Sequence, residues 1–343
     1  MIASSAITNE LEKTVASIAR PGKGILAADE STGTISKRFN ALKIPCTEES
    51  RKAYRELLFT SPGIEQYISG ITLFEETLYQ KPEIANTFPE LLLEKGIIPG
   101  VKVDKGLINI ANSQSEKTTQ GLDGLAERLE TYKRSSTKFV KWREVFSISD
   151  LTPSRLAIQT NAENLARYAA ICQEIGLVPI IEPEVLIDGN HTLIKSFEIC
   201  EEVLHQVFHR LHLHKVVLEH IILKPSMVTP GKTCLSKTSP KEIAEATIQV
   251  LCRTVPCAVP SINFLSGGQS PEDATQNLNS MHRFRNVLPW NVSFSFSRAL
   301  QEPCMKAWLG KTQNILTAQD AFIKRAKLNS LACLGEYDST LES

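Results

Sequence analysis

The sequence lacks long apolar runs and has no excess of charge of either sign. No segment approaches the roughly 18 consecutive apolar residues that indicate a membrane span. The 343 residues include 38 lysines and arginines against 38 aspartates and glutamates, so the formal net charge at pH 7 is zero. Because no basic excess is available to neutralise phosphates, we expect neither a broad nucleic-acid-binding surface nor a membrane-binding one.

Cysteine pairs and targeting segments are missing too. No C-x-x-C pattern occurs among the eight cysteines, which are Cys46, Cys172, Cys200, Cys234, Cys252, Cys257, Cys304 and Cys333. The N-terminus carries acidic residues, and the amphipathic period of Leu11, Val15 and Ile18 predicts a helix over residues 8–20 instead of a signal or transit peptide. We therefore expect reduced thiols and a cytoplasmic protein.

Short β-branched runs recur along the chain, with amphipathic stretches between them. They predict eight strands, over residues 22–29, 67–74, 97–104, 139–146, 177–184, 216–224, 258–266 and 291–298. Several are almost continuously apolar, as parallel strands are when both faces are covered. No low-complexity linker divides the chain, and no G-x-G-x-x-G follows an early strand, which disfavours a doubly wound sheet. The sequence therefore predicts an α/β fold, a single-domain (β/α)8 TIM barrel over residues 1–343 with a short C-terminal tail at 335–343.

Polar side chains and glycines fall at the carboxyl ends of the predicted strands. They are Asp29, Lys102, Lys141, Arg143, Glu182, Glu184, Lys224, Ser266, Gly267, Gly268 and Arg298. Taken singly, each is more often a solvated strand end or part of a structural ion pair. In a barrel, however, these ends meet at one face, where the active site lies. Seven strands that converge in this way predict a catalytic site.

The lysines of this set predict covalent chemistry. Lys224 ends an apolar run, and Lys102 and Lys141 could approach it, so burial and repulsion between ammonium groups would lower an amine pKa. A neutral amine is a nucleophile that can form a Schiff base with a ketone. Glu182 and Asp29 would supply general acid and base functions.

Glycines and hydroxyl-bearing residues predict two anion sites. After the seventh strand, Gly267 and Gly268 permit close backbone approach, the helix that begins near Pro271 adds amide donors, and Arg298 is a planar partner for phosphate. A second site is predicted after the first strand, from Ser31, Thr34, Lys37 and Arg38.

Ten motifs occur in the order that one enzyme family shows. They are GILAADESTGTISKR, LFEETLYQ, VKVDKG, TTQGLDGLAER, KWR, ARYAAICQ, VPIIEPE, LKPSMVTPG, FLSGGQS and KAWLGK. On these motifs, the chain resembles class I fructose-bisphosphate aldolases along almost its full length. The resemblance implies a barrel that acts on a phosphorylated ketose, needs no metal or cofactor, and is usually a cytosolic homotetramer.

The resemblance also implies a role for each site residue. Lys224 would form the Schiff base with the C2 ketone of fructose 1,6-bisphosphate, and Asp29 would handle the C4 hydroxyl proton. Glu182 would act as general acid and base during carbinolamine dehydration, Glu184 would support the lysine network, and Lys141 would stabilise developing charge. The substrate-binding residues implied are Ser266, Gly267 and Arg298 at the C1 phosphate, with Lys102, Ser31, Lys37, Arg38 and Arg143 elsewhere along the substrate.

Four differences from the family pattern stand out. Ser297 replaces a glycine and Phe296 a tyrosine in SFSFSRAL, and a serine is tolerated there only if its φ is not positive. His220 replaces a glycine in what the pattern predicts to be a strand, and Ile221 next to it differs too. Glu75 replaces a histidine at a position that we expect to be peripheral. The C-terminus, CLGEYDSTLES, lacks the longer tail whose terminal tyrosine assists proton exchange at the enamine carbon, so we expect slower turnover.

Three functions remain open on the sequence. The first is an active aldolase of glycolysis and gluconeogenesis, favoured because Lys224, Glu182, Lys141 and Asp29 are all present. The second is a catalytically weakened paralogue that serves as a binding or scaffold protein. The third is a Schiff-base lyase for another phosphorylated ketose, against which the second anion site argues.

Overall fold

Eight parallel strands form a closed barrel in the computed structural model, which describes residues 5–113, 115–284 and 287–343. The strands in chain order are β1 (Gly24–Ala28), β2 (Ile68–Leu73), β3 (Ile98–Lys102), β4 (Leu107–Asn109), β5 (Lys117–Thr119), β6 (Phe139–Phe146), β7 (Val178–Val185), β8 (Ile222–Leu223), β9 (Ser261–Phe264) and β10 (Asn291–Phe296). Around the barrel the order is β1-β10-β9-β8-β7-β6-β3-β2, and β4 and β5 form a separate antiparallel hairpin. The predicted barrel is confirmed.

Helices cover the barrel in the order that the alternating pattern predicts. They are α1 (Ser5–Ile18), α2 (Thr32–Ala41), α3 (Glu48–Phe59), α4 (Glu75–Tyr79), α5 (Phe88–Glu94), α6 (Leu125–Arg134), α7 (Arg155–Ile175), α8 (Leu193–Leu213), α9 (Pro240–Thr254), α10 (Pro271–Phe284), α11 (Arg298–Trp308) and α12 (Ile315–Ala332). Within the described ranges, none of them is long and apolar enough to cross a membrane.

The barrel strands are buried on both faces. Every residue of β1 and β2 is buried, which accounts for their continuous apolar character. Below the barrel, α1 presents Leu11, Val15 and Ile18 to a second apolar cluster that includes Ile25 and Val178. The helix begins three residues before the predicted first residue, 8, and ends two residues before the predicted last residue, 20.

The sixth predicted strand is mostly not a strand. The run 216–224 contains only Ile222 and Leu223 in extended pairing, and a 3-10 turn over Leu218–His220 precedes them. His220 is buried at the end of that turn, with its Nε2 3.9 Å from Glu12 Oε1 of α1. The prediction of a histidine inside a strand is therefore wrong, because the turn carries the imidazole out of the sheet and under α1.

The C-terminal residues fold back onto α12. Arg325 Nη1 donates hydrogen bonds to both oxygens of the Glu342 carboxylate, at 2.5 and 2.6 Å. Tyr337 is buried, and its hydroxyl donates to Glu342 at 2.9 Å. These contacts fasten the predicted tail to the helix layer of the barrel.

The barrel interior leaves no room for a side chain at Gly100. A Cβ on this β3 residue would lie 2.2 Å from Cε2 of Phe139, a buried ring at the start of β6. We predict that Gly100→Ala lowers the free energy of unfolding by about 1–3 kcal/mol, because overpacking forces the ring or the strand to move. Urea unfolding followed by circular dichroism measures this.

Gly33→Ala is the matched control, since a Cβ at Gly33 would have no atom within 4 Å. We expect this variant to stay within about 1 kcal/mol of the native protein, with any gain due to helix propensity. Equal stability of the two variants would show that the Phe139 contact does not constrain the barrel.

Candidate active site

A cavity of about 480 Å³ opens at the carboxyl ends of the barrel strands. All the predicted site residues except Lys37 line it: Asp29, Ser31, Thr34, Arg38, Lys102, Lys141, Arg143, Glu182, Glu184, Lys224, Ser266, Gly267 and Arg298. Lys37 is exposed on α2 and lies outside the cavity lining. The convergence predicted from the strand ends is therefore present in the fold.

Four charged groups form an alternating chain at the cavity floor. Lys141 Nζ lies 2.5 Å from Asp29 Oδ2 and 3.0 Å from Glu182 Oε2. Lys224 Nζ lies 3.2 Å from the other Glu182 oxygen, Oε1. All four side chains are buried, with Lys224 only 3% exposed. Each charge thus has a neighbour of opposite sign, as burial of ions requires.

Strand order brings these groups together. Lys141 lies on β6, Glu182 on the adjacent β7, and Lys224 directly follows β8, the next strand around the barrel. The Lys224 amide donates to the Ile181 carbonyl at 2.8 Å, which holds the lysine backbone against the middle of β7. Asp29 follows β1 and reaches Lys141 across the barrel mouth.

At the floor, the pKa shift of Lys224 favours its neutral form, whereas the shifts of its three neighbours favour their charged forms. Burial would raise the pKa of Asp29, but Lys141 and Lys224 outweigh it and hold this pKa well below its usual range. Burial would lower the pKa of Lys141, yet Asp29 and Glu182 raise it instead. The pKa of Glu182 is lowered because the cations around it outweigh burial. Burial lowers the pKa of Lys224, since the Glu182 carboxylate offsets it only in part and Lys141 adds repulsion. Of the two lysines at the floor, Lys224 is therefore the one that loses its proton more readily.

The cations at the cavity mouth differ in how they are paired. Lys102 Nζ contacts Asp104 Oδ1 at 2.6 Å, and Arg143 pairs with Glu184. The Arg298 side chain, by contrast, has no salt bridge or hydrogen bond to any residue in the described parts of the chain, and it is exposed. Its guanidinium is thus the cation most available to an anionic ligand.

Backbone geometry beside Arg298 suits a phosphate. Gly267 and Gly268 both have positive φ, 52° and 87°, which glycine adopts without strain. A Cβ on Gly268 would lie 3.5 Å from Arg298 Nη2. The helix that begins at the cavity is α11, whose first residue is Arg298, whereas Pro271 at the start of α10 is not among the lining residues. The start of α11, and not that of α10, therefore lies at the cavity.

Ser297 lies between β10 and α11 with φ −105° and ψ −85°. Because this φ is negative, the serine that replaces the family's glycine carries no left-handed strain. Phe296 is buried against Phe294, with ring centroids 5.4 Å apart, and does not line the cavity. Glu75 is likewise outside the cavity, where it accepts hydrogen bonds from Tyr132 at 2.7 Å and Lys105 at 2.8 Å.

Sequence reasoning missed three polar residues of the lining: Glu30, Asp104 and Ser295. Asp104 lies two residues after Lys102 and Glu30 directly follows Asp29, so their position at strand ends could have indicated them. Ser295 lies within the Ser-Phe alternation of β10, which gives no chemical signal of its own. Among the described residues, no group of three or more histidines, cysteines or carboxylates could hold a metal ion.

Glu144 is a buried carboxylate behind the site. It accepts hydrogen bonds from the Thr119 amide of β5 at 3.0 Å, Trp142 Nε1 at 3.0 Å and Asn164 Nδ2 at 3.3 Å. The β4–β5 hairpin also contributes Leu107 to the cavity lining. Glu144 therefore ties this hairpin, and one rim of the cavity, to β6 and α7.

Comparison with known proteins identifies one family. The family model for class-I fructose-bisphosphate aldolase matches residues 10–343. Cytosolic fructose-bisphosphate aldolase 5 of Arabidopsis thaliana is 55% identical over 329 residues, which cover 96% of this chain and 92% of that protein. Cytoplasmic isozyme 1 of the Pisum sativum aldolase is 53% identical, with the same coverage of 96% and 92%. The structure of fructose-bisphosphate aldolase from Plasmodium falciparum, in complex with TRAP and a small-molecule inhibitor, aligns with a TM-score of 0.96 at 46% identity and covers 98% of this chain and 97% of that one.

The burial of Glu144 predicts a specific pH dependence of stability. Burial raises the pKa of Glu144 to about 8, against the lowering effect of its hydrogen-bond donors. The folded state then binds one more proton than the unfolded state between the unfolded value of 4.5 and about 8. The contribution of Glu144 to the free energy of unfolding is therefore fully present at low pH. It decreases as the pH rises through that window, by about 2 kcal/mol between pH 5 and pH 7.

Glu144→Gln keeps the shape of the side chain and removes its titration. We expect the difference in unfolding free energy between the native protein and Glu144→Gln, measured in urea at pH 5 and at pH 7, to shift by that amount in favour of the glutamine variant. A difference that does not change with pH would show that Glu144 has the same charge in the folded and unfolded chain.

Proposed function

The chain belongs to the class-I fructose-bisphosphate aldolase family, and we propose that it cleaves fructose 1,6-bisphosphate reversibly through a Schiff base on Lys224. The products are dihydroxyacetone phosphate and glyceraldehyde 3-phosphate, as in glycolysis and, in reverse, gluconeogenesis. The observation that carries the proposal is the buried chain of Lys224, Glu182, Lys141 and Asp29 beneath the cavity.

Attack on the ketone requires Lys224 as a free amine. Its proton has an acceptor in Glu182 Oε1, 3.2 Å away, and burial already favours the neutral form. The neutral amine adds to C2 of the open-chain ketose and gives a carbinolamine. Glu182 then returns a proton to the C2 hydroxyl, which leaves as water, and the iminium forms.

Cleavage of the C3–C4 bond follows from the charge on Asp29. Because Lys141 keeps this carboxylate ionised, it can accept the proton of the C4 hydroxyl while the C4 oxygen forms the aldehyde carbonyl. The electrons of the C3–C4 bond move into the iminium and give an enamine on Lys224. Lys141, held protonated between two carboxylates, stabilises negative charge that develops on the C4 oxygen. Protonation of the enamine at C3 and hydrolysis then release dihydroxyacetone phosphate.

The two phosphates are assigned to two sets of residues at the mouth. For the C1 phosphate we propose Ser266, Gly267 and Arg298, because the unpaired guanidinium, the positive-φ glycines and the start of α11 lie together there. The other phosphate is assigned to the remaining predicted cations and hydroxyls of the lining, which are Ser31, Thr34, Arg38, Lys102 and Arg143.

Trapping of the Schiff base tests this proposal. With fructose 1,6-bisphosphate and borohydride, we expect a reduced adduct on the peptide that contains Lys224, detected by mass spectrometry. Lys224→Met should abolish the adduct and lower the rate of cleavage by at least about a thousandfold, because the covalent step is lost.

Lys241→Met is the matched control, since Lys241 lies on α9 and is 79% exposed. This variant should give the native adduct and the native rate. Cleavage that survives Lys224→Met, or an adduct on another lysine, would contradict the assignment. An intact sugar and no adduct with the native protein would favour the scaffold alternative.

We further propose that the protein works in the cytoplasm as a homotetramer. Large apolar side chains that are exposed in the single chain support assembly; they include Leu151 (66%), Leu156 (53%) and Ile194 (72%). Light scattering coupled to size-exclusion chromatography should give four times the 38.0 kDa mass of one chain. A monomeric mass at micromolar concentration would contradict the tetramer and leave the catalytic proposal intact.

A further inference from the structure

A loop over residues 266–269, the glycine loop, follows β9 and is closed by the side chain of its last residue. The Ser266 carbonyl accepts hydrogen bonds from the Gln269 backbone amide and from Gln269 Nε2, both at 3.0 Å. The two lone pairs of a carbonyl oxygen can accept both donors. Ser266, Gly267 and Gly268 line the cavity, whereas Gln269 is not among the described lining residues. Any effect of Gln269 on a ligand therefore passes through the loop.

Asn277 determines which way the Gln269 amide points. Asn277 lies on α10, is 4% exposed, and donates from Nδ2 to Gln269 Oε1 at 2.7 Å. If the Gln269 amide were reversed, its oxygen would face the Ser266 carbonyl oxygen, and two acceptors cannot bond to each other. The observed orientation thus satisfies both neighbours, and it fastens the glycine loop to α10.

Gln269 also joins the glycine loop to the segment that follows Lys224. Its Nε2 contacts Met227 Sδ at 3.7 Å, and Met227 is buried. Directly before the loop, the Leu265 amide donates to the Pro225 carbonyl at 3.1 Å. Pro225 and Met227 lie one and three residues after Lys224. These contacts set the position of the loop relative to the backbone of the lysine.

The glycine loop depends on such contacts, because its own backbone does not fix its shape. Gly267 and Gly268 have φ of 52° and 87°. Glycine adopts positive and negative φ about equally well, so these residues lose more conformational freedom than others when they become ordered. A loop that is ordered before its ligand arrives binds that ligand at a smaller entropic cost.

We propose that Gln269 is a positioning residue: it holds the glycine loop at a fixed distance from Lys224, ready for a phosphate on the carbon beside the ketone. The inference deepens the proposed function and rests on it, since that function assigns a phosphate to Ser266 and Gly267. Gln269 does not contact the ligand itself. It orders the loop groups that bind the phosphate.

Binding of an unreactive phosphate ester tests the inference. Hexitol 1-phosphate has no carbonyl, so calorimetry reports its affinity without Schiff-base formation. We expect Gln269→Ala to weaken its binding by about 3- to 10-fold, as loss of the hydrogen bonds that order the loop implies. Gln276→Ala is the matched control, because Gln276 is exposed on the same helix as Asn277. This control should keep the native affinity.

A ketone without phosphate separates positioning from a general structural effect. In Gln269→Ala, the concentration of dihydroxyacetone phosphate that gives half-maximal borohydride trapping on Lys224 should rise by about the same 3- to 10-fold. The corresponding concentration of dihydroxyacetone should change by less than about twofold, because this ketone has no phosphate for the loop to bind. A general loosening of the barrel would weaken the trapping of both ketones.

Three results would overturn the inference: an unchanged affinity for hexitol 1-phosphate in Gln269→Ala, an equal loss for the two ketones, or an equal loss in Gln276→Ala. Should Gln269→Ala fail to fold, Gln269→Met replaces it and is judged by the same results. Methionine keeps the length of the side chain and lacks the amide donor and acceptor.

Failure of the inference is distinguishable from failure of the proposed function. A native protein that traps neither ketone would count against the proposed function, and the calorimetric comparison of Gln269→Ala with Gln276→Ala would still decide the role of Gln269. A native protein that traps both ketones, with no loss of hexitol 1-phosphate affinity in Gln269→Ala, would overturn the inference alone.

Discussion

The site depends on two lysines and two carboxylates that are buried in alternation. A single ion at that depth costs several kcal/mol even after the protein relaxes around it. Lys141 is the central member, because it contacts Asp29 at 2.5 Å and Glu182 at 3.0 Å. Each group is stable there only while its neighbour carries the opposite charge. The contacts that permit burial are therefore the same contacts that ready the groups for proton transfer.

The contacts between these charged groups require a fixed order and register of the barrel strands. Lys141, Glu182 and Lys224 come from three neighbouring strands, so they meet only if the strands keep their order and register. The packing below enforces that register, as the Gly100–Phe139 contact illustrates. Behind β6, Glu144 fastens the hairpin that forms one rim. A rigid scaffold of this kind keeps the four charged groups within hydrogen-bond distance of their neighbours before any ligand arrives.

The floor and the mouth of the cavity differ in how far their charged side chains are paired. At the floor, the charges compensate one another and Lys224 alone is displaced towards its neutral form. At the mouth, Arg298 has no protein partner in the described chain and Arg38 shares a single nitrogen with Glu30 and Ser297. The uncompensated donors are thus at the surface, where a ligand's phosphates can pair with them, and water solvates them until then.

The sequence by itself determined the fold class and most of the site. Burial of eight strands on both faces leaves apolar runs, and parallel strands of a barrel end at one face, so Lys224, Glu182 and Asp29 could be placed together from position alone. Glu30 and Asp104 of the polar lining were missed, and Lys37 was included although it lies outside the lining. Such errors arise because a strand pattern reports burial and not the rotation of a residue on the following helix or turn.

Only the tertiary structure determined which residues contact one another. It made 218–220 a turn under α1 instead of a strand, placed the start of α11 instead of that of α10 at the cavity, and joined Ser297 to Glu30 and Arg38. These pairs lie far apart in the chain, up to 267 residues for Ser297 and Glu30. Local pattern carries no information on such pairs, because closure of the barrel sets which strand ends become neighbours.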